Sequence, residues 1–331
     1  MHITVVYSLP TRRSKQSVYA ATDEDTRISA ETVAAALTAR GAAVSLVPIS
    51  EDSISDIGNI QADCIFNLIE WDGLDMPLAL RAFGQLERLG TPFTGISKQA
   101  LEGIGDKVHM KQALVGAGLP TPTWQIFETG RETVDPTLPY PVIVKPTVEH
   151  CSVGLTHEAV VSDPSKLLSV VKKQIKQFRQ PVFAEEFIVG REFQVTVLEG
   201  ASGLVVLPPA EILFTSSGQR AFLTYGSRWV QTDPDWTTSR VVLAALSAGL
   251  RRRLEDISIR AFRTLNYRDY SRLDIRCRGQ EVFILEANGN PGVDDSTGYG
   301  MSVSFHAAGM SFADFLWEIV LSSLRRKKLR G

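Results

Sequence analysis

The chain has 331 residues, which at about 150 residues per domain makes two or three compact units. Hydrophobic residues make up 44% and charged residues 22%, the balance of a globular protein rather than a disordered one. With 35 Lys+Arg against 37 Asp+Glu the net charge is −2, which removes the electrostatic case for nucleic acid or an anionic membrane as the main partner.

The first ninety residues alternate short apolar runs with helical patterns. Strands are expected over 3–7, 43–47 and 64–68, with an Ala-rich helix over 31–40 between the first two. Pro77 opens a second helix with apolar Leu78, Ala82, Phe83, Leu86 and Leu89, stopped by Gly90. Such alternation predicts a parallel sheet with helices packed on it. The rhythm breaks around Gly90-Thr91-Pro92-Phe93-Thr94-Gly95, where a first domain over 1–95 is expected to end. A second unit, 96–180, holds a helix over 106–115 and a strand at Val142-Ile143-Val144. The third, 181–331, begins with strands. It continues with a helical stretch from about Arg240 to Leu265, a hairpin over 272–288, and a final helix with Phe312, Phe315, Leu316, Ile319, Val320 and Leu324 on one face. The basic end of that helix, Arg325-Arg326-Lys327-Lys328, is read as complementing the helix dipole. Cys64, Cys151 and Cys277 are too few and too scattered for a disulfide framework, which suits a reducing, cytoplasmic setting. Nothing approaches the roughly 20 apolar residues of a membrane helix.

Common cofactor loops are missing. The turn after the first strand, Ser8-Leu9-Pro10-Thr11-Arg12-Arg13, has no glycine for a pyrophosphate, and no P-loop, GxSxG elbow or HExxH helix occurs. The informative segment is the hairpin, Ser271-Arg272-Leu273-Asp274-Ile275-Arg276-Cys277 followed by Val282-Phe283-Ile284-Leu285-Glu286-Ala287-Asn288. Strand alternation puts Arg272, Asp274 and Arg276 on one face. With a three-residue turn at Gly279-Gln280-Glu281, Asp274 falls opposite Glu286 and Arg272 opposite Asn288. Two carboxylates and an amide oxygen together suit Mg²⁺, although charged residues on the wet face of a half-exposed hairpin are also ordinary.

Glu286-Ala287-Asn288-Gly289-Asn290-Pro291-Gly292 resembles the E-x-N-x-x-P-G segment of ATP-grasp ligases of the D-alanine–D-alanine ligase-like branch. Five other stretches resemble that branch in the same order. They are Phe66-Asn67-Leu68 with the segment 90–95, then Asp106-Lys107, Gly118-Leu119-Pro120-Thr121-Pro122, Pro141-Val142-Ile143-Val144-Lys145-Pro146 with Ser152-Val153-Gly154, and Glu185-Glu186-Phe187-Ile188-Val189-Gly190-Arg191-Glu192. The resemblance implies an α/β ATP-grasp fold behind an N-terminal Rossmann-like parallel sheet. It also implies an ATP-dependent carboxylate–amine ligase working through an acyl phosphate, and a homodimer.

By the same resemblance, Asp274, Glu286 and Asn288 hold Mg²⁺, two ions for which Mn²⁺ can substitute. Lys107 and Lys145 hold ATP phosphates; each taken singly reads as an ordinary solvated lysine. Ser152 and Gly154 cover the phosphates, Glu185 accepts from the adenine amino group, the Phe187 and Ile188 backbone reads the ring edge, and Glu192 binds ribose. Arg272 and Arg228 are the catalytic cations. The departures fall on the substrate side, at Glu70, Cys151, Tyr225, Asp294, Asp295 and Thr297. His150 and Cys151 replace a glycine and a serine, with Cys151 read as a small polar replacement rather than a reactive thiol. Two acids after Pro291-Gly292 suggest a second substrate that offers an amine or hydroxyls to Asp294 and Asp295, or an offset by Arg228. Arg12 and Arg13 suggest an acidic or larger first substrate, or simply a solvated loop. The expected partners are therefore a carboxylate and an amine, with amino acids other than two D-alanines favoured. The alternatives are an inactive nucleotide-binding regulatory protein of the same fold and a carboxylate kinase.

Overall fold

A computed structural model describes residues 1–19 and 21–328. The N-terminal sheet is three-stranded and parallel, in the order β2-β1-β3, from β1 (His2–Ser8), β2 (Ala43–Ile49) and β3 (Cys64–Leu68), with α1 (Ala21–Ala39) linking the first two. β1 and β3 read as unbroken apolar runs because both faces are covered. Ile3, Val5, Cys64 and Phe66 face a core shared with Phe315 and Ile319 near the C-terminus. Val6 and Ile65 face the opposite way, towards Phe83 and Leu86 of α2 (Met76–Leu89). α2 has its proline in the first turn, and Gly90 at φ +70° ends it, as expected.

After α3 (Lys98–Ile104), Asp106 caps α4 (Lys107–Gly116) by accepting from the Val108 N–H at 2.7 Å. The middle sheet is antiparallel, in the order β4-β7-β5-β6, from β4 (Trp124–Phe127), β5 (Val142–Pro146), β6 (Val160–Val161) and β7 (Val182–Glu186), with α5 (Leu167–Phe178) packed on it. β7 lies past Gln180, so this sheet runs beyond the expected division there.

The third sheet, also antiparallel, has the order β11-β10-β8-β12-β13, with β9 also paired to β8. Its strands are β8 (Arg191–Gly200), β9 (Gly203–Val206), β10 (Ala210–Phe214), β11 (Ser239–Leu243), β12 (Tyr270–Arg278) and β13 (Glu281–Asn288). α6 (Tyr225–Trp229) and α7 (Ala248–Thr264) interrupt them. The helix expected from Arg240 starts only at Ala248, after the Ser247 cap; Ser-Arg-Val-Val-Leu before it is the edge strand β11, as its β-branched pair favours.

The hairpin turn is two residues, not three, because Arg278 pairs with Glu281. A bulge between the Asp274–Glu286 and Ile275–Ile284 pairs then adds back one residue on β13. The two differences cancel, so Asp274 does lie opposite Glu286 and Arg272 opposite Asn288.

α8 (Gly300–Ala307) and α9 (Phe312–Lys328) close the chain, with Phe312, Phe315, Leu316, Ile319 and Val320 buried. The end of α9 does more than balance its dipole. Arg326 pairs with Asp269, which is fully buried, and donates to the Phe93 carbonyl at 2.7 Å. Asp269 in turn accepts from the Gly95 N–H at 2.9 Å, tying the exit of the first sheet to the start of β12. Among the described residues no single helix is long and apolar enough to cross a membrane.

Candidate active site

A cleft of about 920 Å³ opens between the middle and third sheets, with Lys145, Glu185 and Phe187 on one wall and Glu192, Asp274 and Glu286 on the other. A second cavity of about 1070 Å³ lies beneath residues 69–72 and reaches Arg272, Asn288 and Tyr299. The two share His150, Cys151, Arg228 and Glu286.

The hairpin supplies the floor. Arg272 grips Asp274 with two bonds, Nε–Oδ1 at 2.9 Å and Nη2–Oδ2 at 3.2 Å, and donates to the Tyr299 hydroxyl at 3.3 Å. Asn288 Nδ2 lies 3.5 Å from Asp274 Oδ2. Across the hairpin, Glu286 Oε1 meets Lys107 Nζ at 3.4 Å and His150 Nδ1 at 3.0 Å. Burial opposes ionisation of Glu286, but Lys107, His150 and Lys145 outweigh it and hold its carboxyl well below the usual range. Asp274 goes the other way: burial, with Glu286 and Glu192 nearby, raises its carboxyl despite Arg272. Each carboxylate is thus already faced by cations, Asp274 by Arg272 and Glu286 by Lys107 and His150. Among the described residues no group of three or more His, Cys, Asp or Glu stands ready to cage a metal. Asp274, Glu286 and the Asn288 amide are hard oxygen donors of the kind Mg²⁺ takes when phosphate oxygens and water fill most of its shell.

On the opposite wall, Glu185 sits between two lysines, 2.6 Å from Lys145 Nζ and 2.5 Å from Lys111 Nζ. Lys111 is fully buried and also donates to Thr121 Oγ1 at 2.8 Å. Burial lowers the Lys111 ammonium; burial would raise Glu185, but the two lysines hold it low. The carboxylate expected at the adenine amino group is thus engaged by cations. Sequence reasoning missed Lys111, whose signal was its position one helical turn after Lys107 on α4.

The expected adenine edge is similarly committed in part. The Phe187 N–H donates to the Pro141 carbonyl at 2.8 Å, and the Ile188 carbonyl accepts from Arg276 at 2.8 Å. Arg276 also holds Glu192 Oε2, at 2.8 Å through Nε and 2.6 Å through Nη2, and its guanidinium lies 4.8 Å from the Phe187 ring centre. Arg276 was missed as well, although it shares the strand face of Arg272 and Asp274.

The loop at 149–154 roofs the cleft. Cys151, Ser152 and Gly154 all have left-handed backbone, at φ +56°, +62° and +79°. At Gly154 a Cβ would lie 2.7 Å from the Phe178 ring, so only glycine fits. The loop is stitched to α6: the Cys151 carbonyl accepts from Trp229 Nε1 at 2.9 Å, and the Tyr225 N–H donates to Leu155 at 3.0 Å. α6 thereby brings Arg228 to both cavities, with its guanidinium 5.5 Å from the Trp229 ring, and sets Tyr225 edge-on to Tyr19 at 4.7 Å. Burial pushes the Cys151 thiol up to about 12, so it is no nucleophile at neutral pH. Lys107 Nζ closes the roof from below by donating to the Glu149 carbonyl.

The substrate-side expectations fare differently. Glu70 does line the second cavity. Arg12 is paired with Glu51 and Asp52, and Arg13 with Asp75, while Arg13 also borders a cavity with Tyr19 and Trp71. Asp295 lies at the surface against His306 at 2.7 Å, and Thr297 is exposed. Asp294 accepts from the Ser296 N–H at 2.9 Å and borders a small cavity of about 380 Å³ with Glu70 and Tyr299. Asp295 and Thr297 are therefore not gathered at the hairpin, whereas Asp294 stands near Glu70 and Tyr299 of the second cavity.

Comparison with known proteins agrees with this architecture. The family described as D-ala D-ala ligase C-terminus matches residues 114–321. An uncharacterised protein, y4sG, of Sinorhizobium fredii is 33% identical over 73% of this chain and 69% of its own. A D-alanine–D-alanine ligase of Polaromonas is 30% identical over 75% and 72%. Crystal structures of a D-alanine–D-alanine ligase from Bacillus anthracis, one of them complexed with ATP, superpose over the whole of both chains with TM-scores of 0.75 and 0.74 at 22% and 21% identity. They share the ATP-grasp fold. On the family match and these relatives, the chain belongs to the D-alanine–D-alanine ligase family.

Proposed function

We propose that the protein is an ATP- and Mg²⁺-dependent ligase that joins a carboxylate to an amine through an acyl phosphate, with substrates other than two D-alanines. The observation that carries this is Glu286, ionised between Lys107 and His150, opposite Asp274, where the two cavities meet. ATP occupies the cleft between the sheets in this reading. Phe187 and Ile188 border the adenine, Glu192 is held by Arg276 for the ribose, and Lys107 and Lys145 meet the phosphates as point charges. Asp274, Glu286 and Asn288 would hold Mg²⁺, which when bound supplies neutralisation of phosphate charge. Ser152, Gly154 and the rest of the loop exclude water from an intermediate that water destroys. Arg272 faces the charge that develops on the acyl oxygen.

The acceptor side rests on Glu70, Tyr225, Cys151 and Arg228. Because Asp295 and Thr297 lie outside, Arg228 is the cation we assign to a substrate carboxylate. The expected assembly is a cytoplasmic homodimer, to be checked by light scattering. The functional test is phosphate release from ATP and Mg²⁺ across a grid of D- and L-amino-acid pairs, with mass spectrometry of the product. Glu286→Gln is expected to abolish the signal. Phosphorylation of an acid with no amine-dependent product would indicate a carboxylate kinase, and a wild type that binds no ATP would sink the reading.

A further inference from the structure

The second cavity is polar on one side and apolar on another. The hairpin brings Arg272 and Asn288 to it, and Glu70 and Arg228 join them from loop and helix. The remaining lining includes two helices, α2 and α3. Met76, Ala79 and Phe83 recur three and four residues apart along α2, the spacing of a single helical face, and all three line the cavity. Leu101 and Ile104 of α3 do so three residues apart. Neither helix contributes a charged or polar side chain.

Two features distinguish this lining from ordinary core. Ala79 and Phe83 are buried, but Met76, Leu101 and Ile104 are only half-buried, so apolar surface stays uncovered in the same cavity as the charged groups. At about 1070 Å³ the cavity also reaches the top of the range for ligand pockets, about 300–1,000 Å³. A methyl side chain would leave most of that lining wet. The polar side offers a cation as well. Arg272 is paired with Asp274, whereas half-buried Arg228 has no ion pair among the described residues. A molecule with both a carboxylate and a bulky apolar group would use both sides at once.

Resting on the ligase reading, we propose that the amine substrate is an amino acid with a bulky, uncharged apolar side chain. α2 and α3 receive that side chain while Arg228 takes the carboxylate. The acid substrate gives up its carboxylate to phosphorylation, so the partner that keeps one free for Arg228 is the amine. A charged side chain would lose its hydration among these five residues with nothing to pair with, which selects against aspartate, glutamate and lysine. Ala79 has the smallest side chain of the stripe and stands between Met76 and Phe83, so it sets how large a group fits.

The test holds the acid fixed and measures kcat/KM for the amine across glycine, alanine, leucine, phenylalanine, aspartate and lysine, in both enantiomers where they exist. Leucine or phenylalanine is expected to exceed alanine by roughly 10²-fold, with aspartate and lysine no better than alanine. A79L fills the stripe and should lower the leucine-to-alanine ratio at least tenfold. If A79L does not fold, as its melting temperature would show, the same ratio is read in I104F, which changes a half-buried position. Glycine or alanine taken as well as leucine, or an apolar preference confined to the acid, would overturn the assignment. So would a folded A79L or I104F that keeps the wild-type ratio. A wild type that forms no amide with any acid and amine removes the ligase reading and this inference with it, whereas one that forms amide without an apolar preference removes only the inference.

Discussion

The cleft and the outer segments that the sequence suggests as substrate contacts use the same chemistry at very different depths. On the nucleotide side, Glu185 and Lys111 are 1% and 0% exposed, and Glu192 and Arg276 are 11% and 3% exposed. Outside the cavities, Arg12 and Asp52 are 73% and 69% exposed, and His306 and Asp295 are 52% and 45% exposed. Breaking a buried pair strands a charge in a poor solvent and is strongly destabilising, whereas exposed pairs contribute little. Strands β7, β8 and β12 supply Glu185, Glu192 and Arg276, so these walls of the cleft are set by the fold itself. Arg12, Asp52 and Asp295 lie on loops and His306 at the end of α8, and there charge can be rearranged with little effect on stability.

The sharpest way to break the contrast is to remove a buried lysine. Lys111→Met leaves Glu185 with Lys145 alone, and is expected to destabilise the protein by about 3 kcal/mol in urea unfolding. A loss below about 1 kcal/mol would mean that the Lys111–Glu185 pair behaves as a surface pair. The same carboxylate should show in acid. Its lysines hold Glu185 below its unfolded value despite burial, so its contribution is present above the ordinary glutamate range and lost as the pH falls through the depressed value. Glu185→Gln should flatten that part of the stability–pH curve, and an unchanged acid limb would reject the assignment.

Next in size is Arg276, which holds Glu192, the Ile188 carbonyl and the face of Phe187. Arg276→Lys cannot reproduce a planar fork on both Glu192 and a carbonyl. Hydrogen bonds to charged groups contribute about 1.5–3 kcal/mol, so ATP should bind roughly tenfold to a hundredfold more weakly by calorimetry. Retained affinity would detach this pair from the nucleotide.

How much of this was legible follows from periodicity. Alternation along β12 and β13 aligned Arg272, Asp274, Glu286 and Asn288, and the pairing held although the turn was one residue shorter, because the bulge restored the count at the active end. Neither the bulge nor the short turn has a mark in the sequence that outweighs a three-residue reading of Gly279-Gln280-Glu281. Lys111 was visible in principle through its i+4 spacing from Lys107, but a lysine on a helix reads as solvated until its burial is known. The partners of Arg12 and Arg13 lie about 40 and 60 residues along the chain, beyond any local pattern. The same applies to Asp269, which joins Gly95 and Arg326 across most of the molecule.

The smallest expected effect is also the one that most sharpens the comparison. Asp295 and Thr297 occupy the stretch that the family resemblance assigns to the second substrate, yet they face outward, with Asp295 on His306. Asp295→Ala should change stability by less than about 0.5 kcal/mol, as surface substitutions usually do, and should leave both ATP affinity and the KM of the amine unchanged. A KM raised tenfold with kcat intact would mean that residues 294–297 fold in over the acceptor. The contrast would then hold for the free protein alone, and the substrate wall would have to be redrawn around a closed segment. An unchanged KM instead leaves Arg228 and Glu70, which already line the cavity, as the charges that decide which amine is taken.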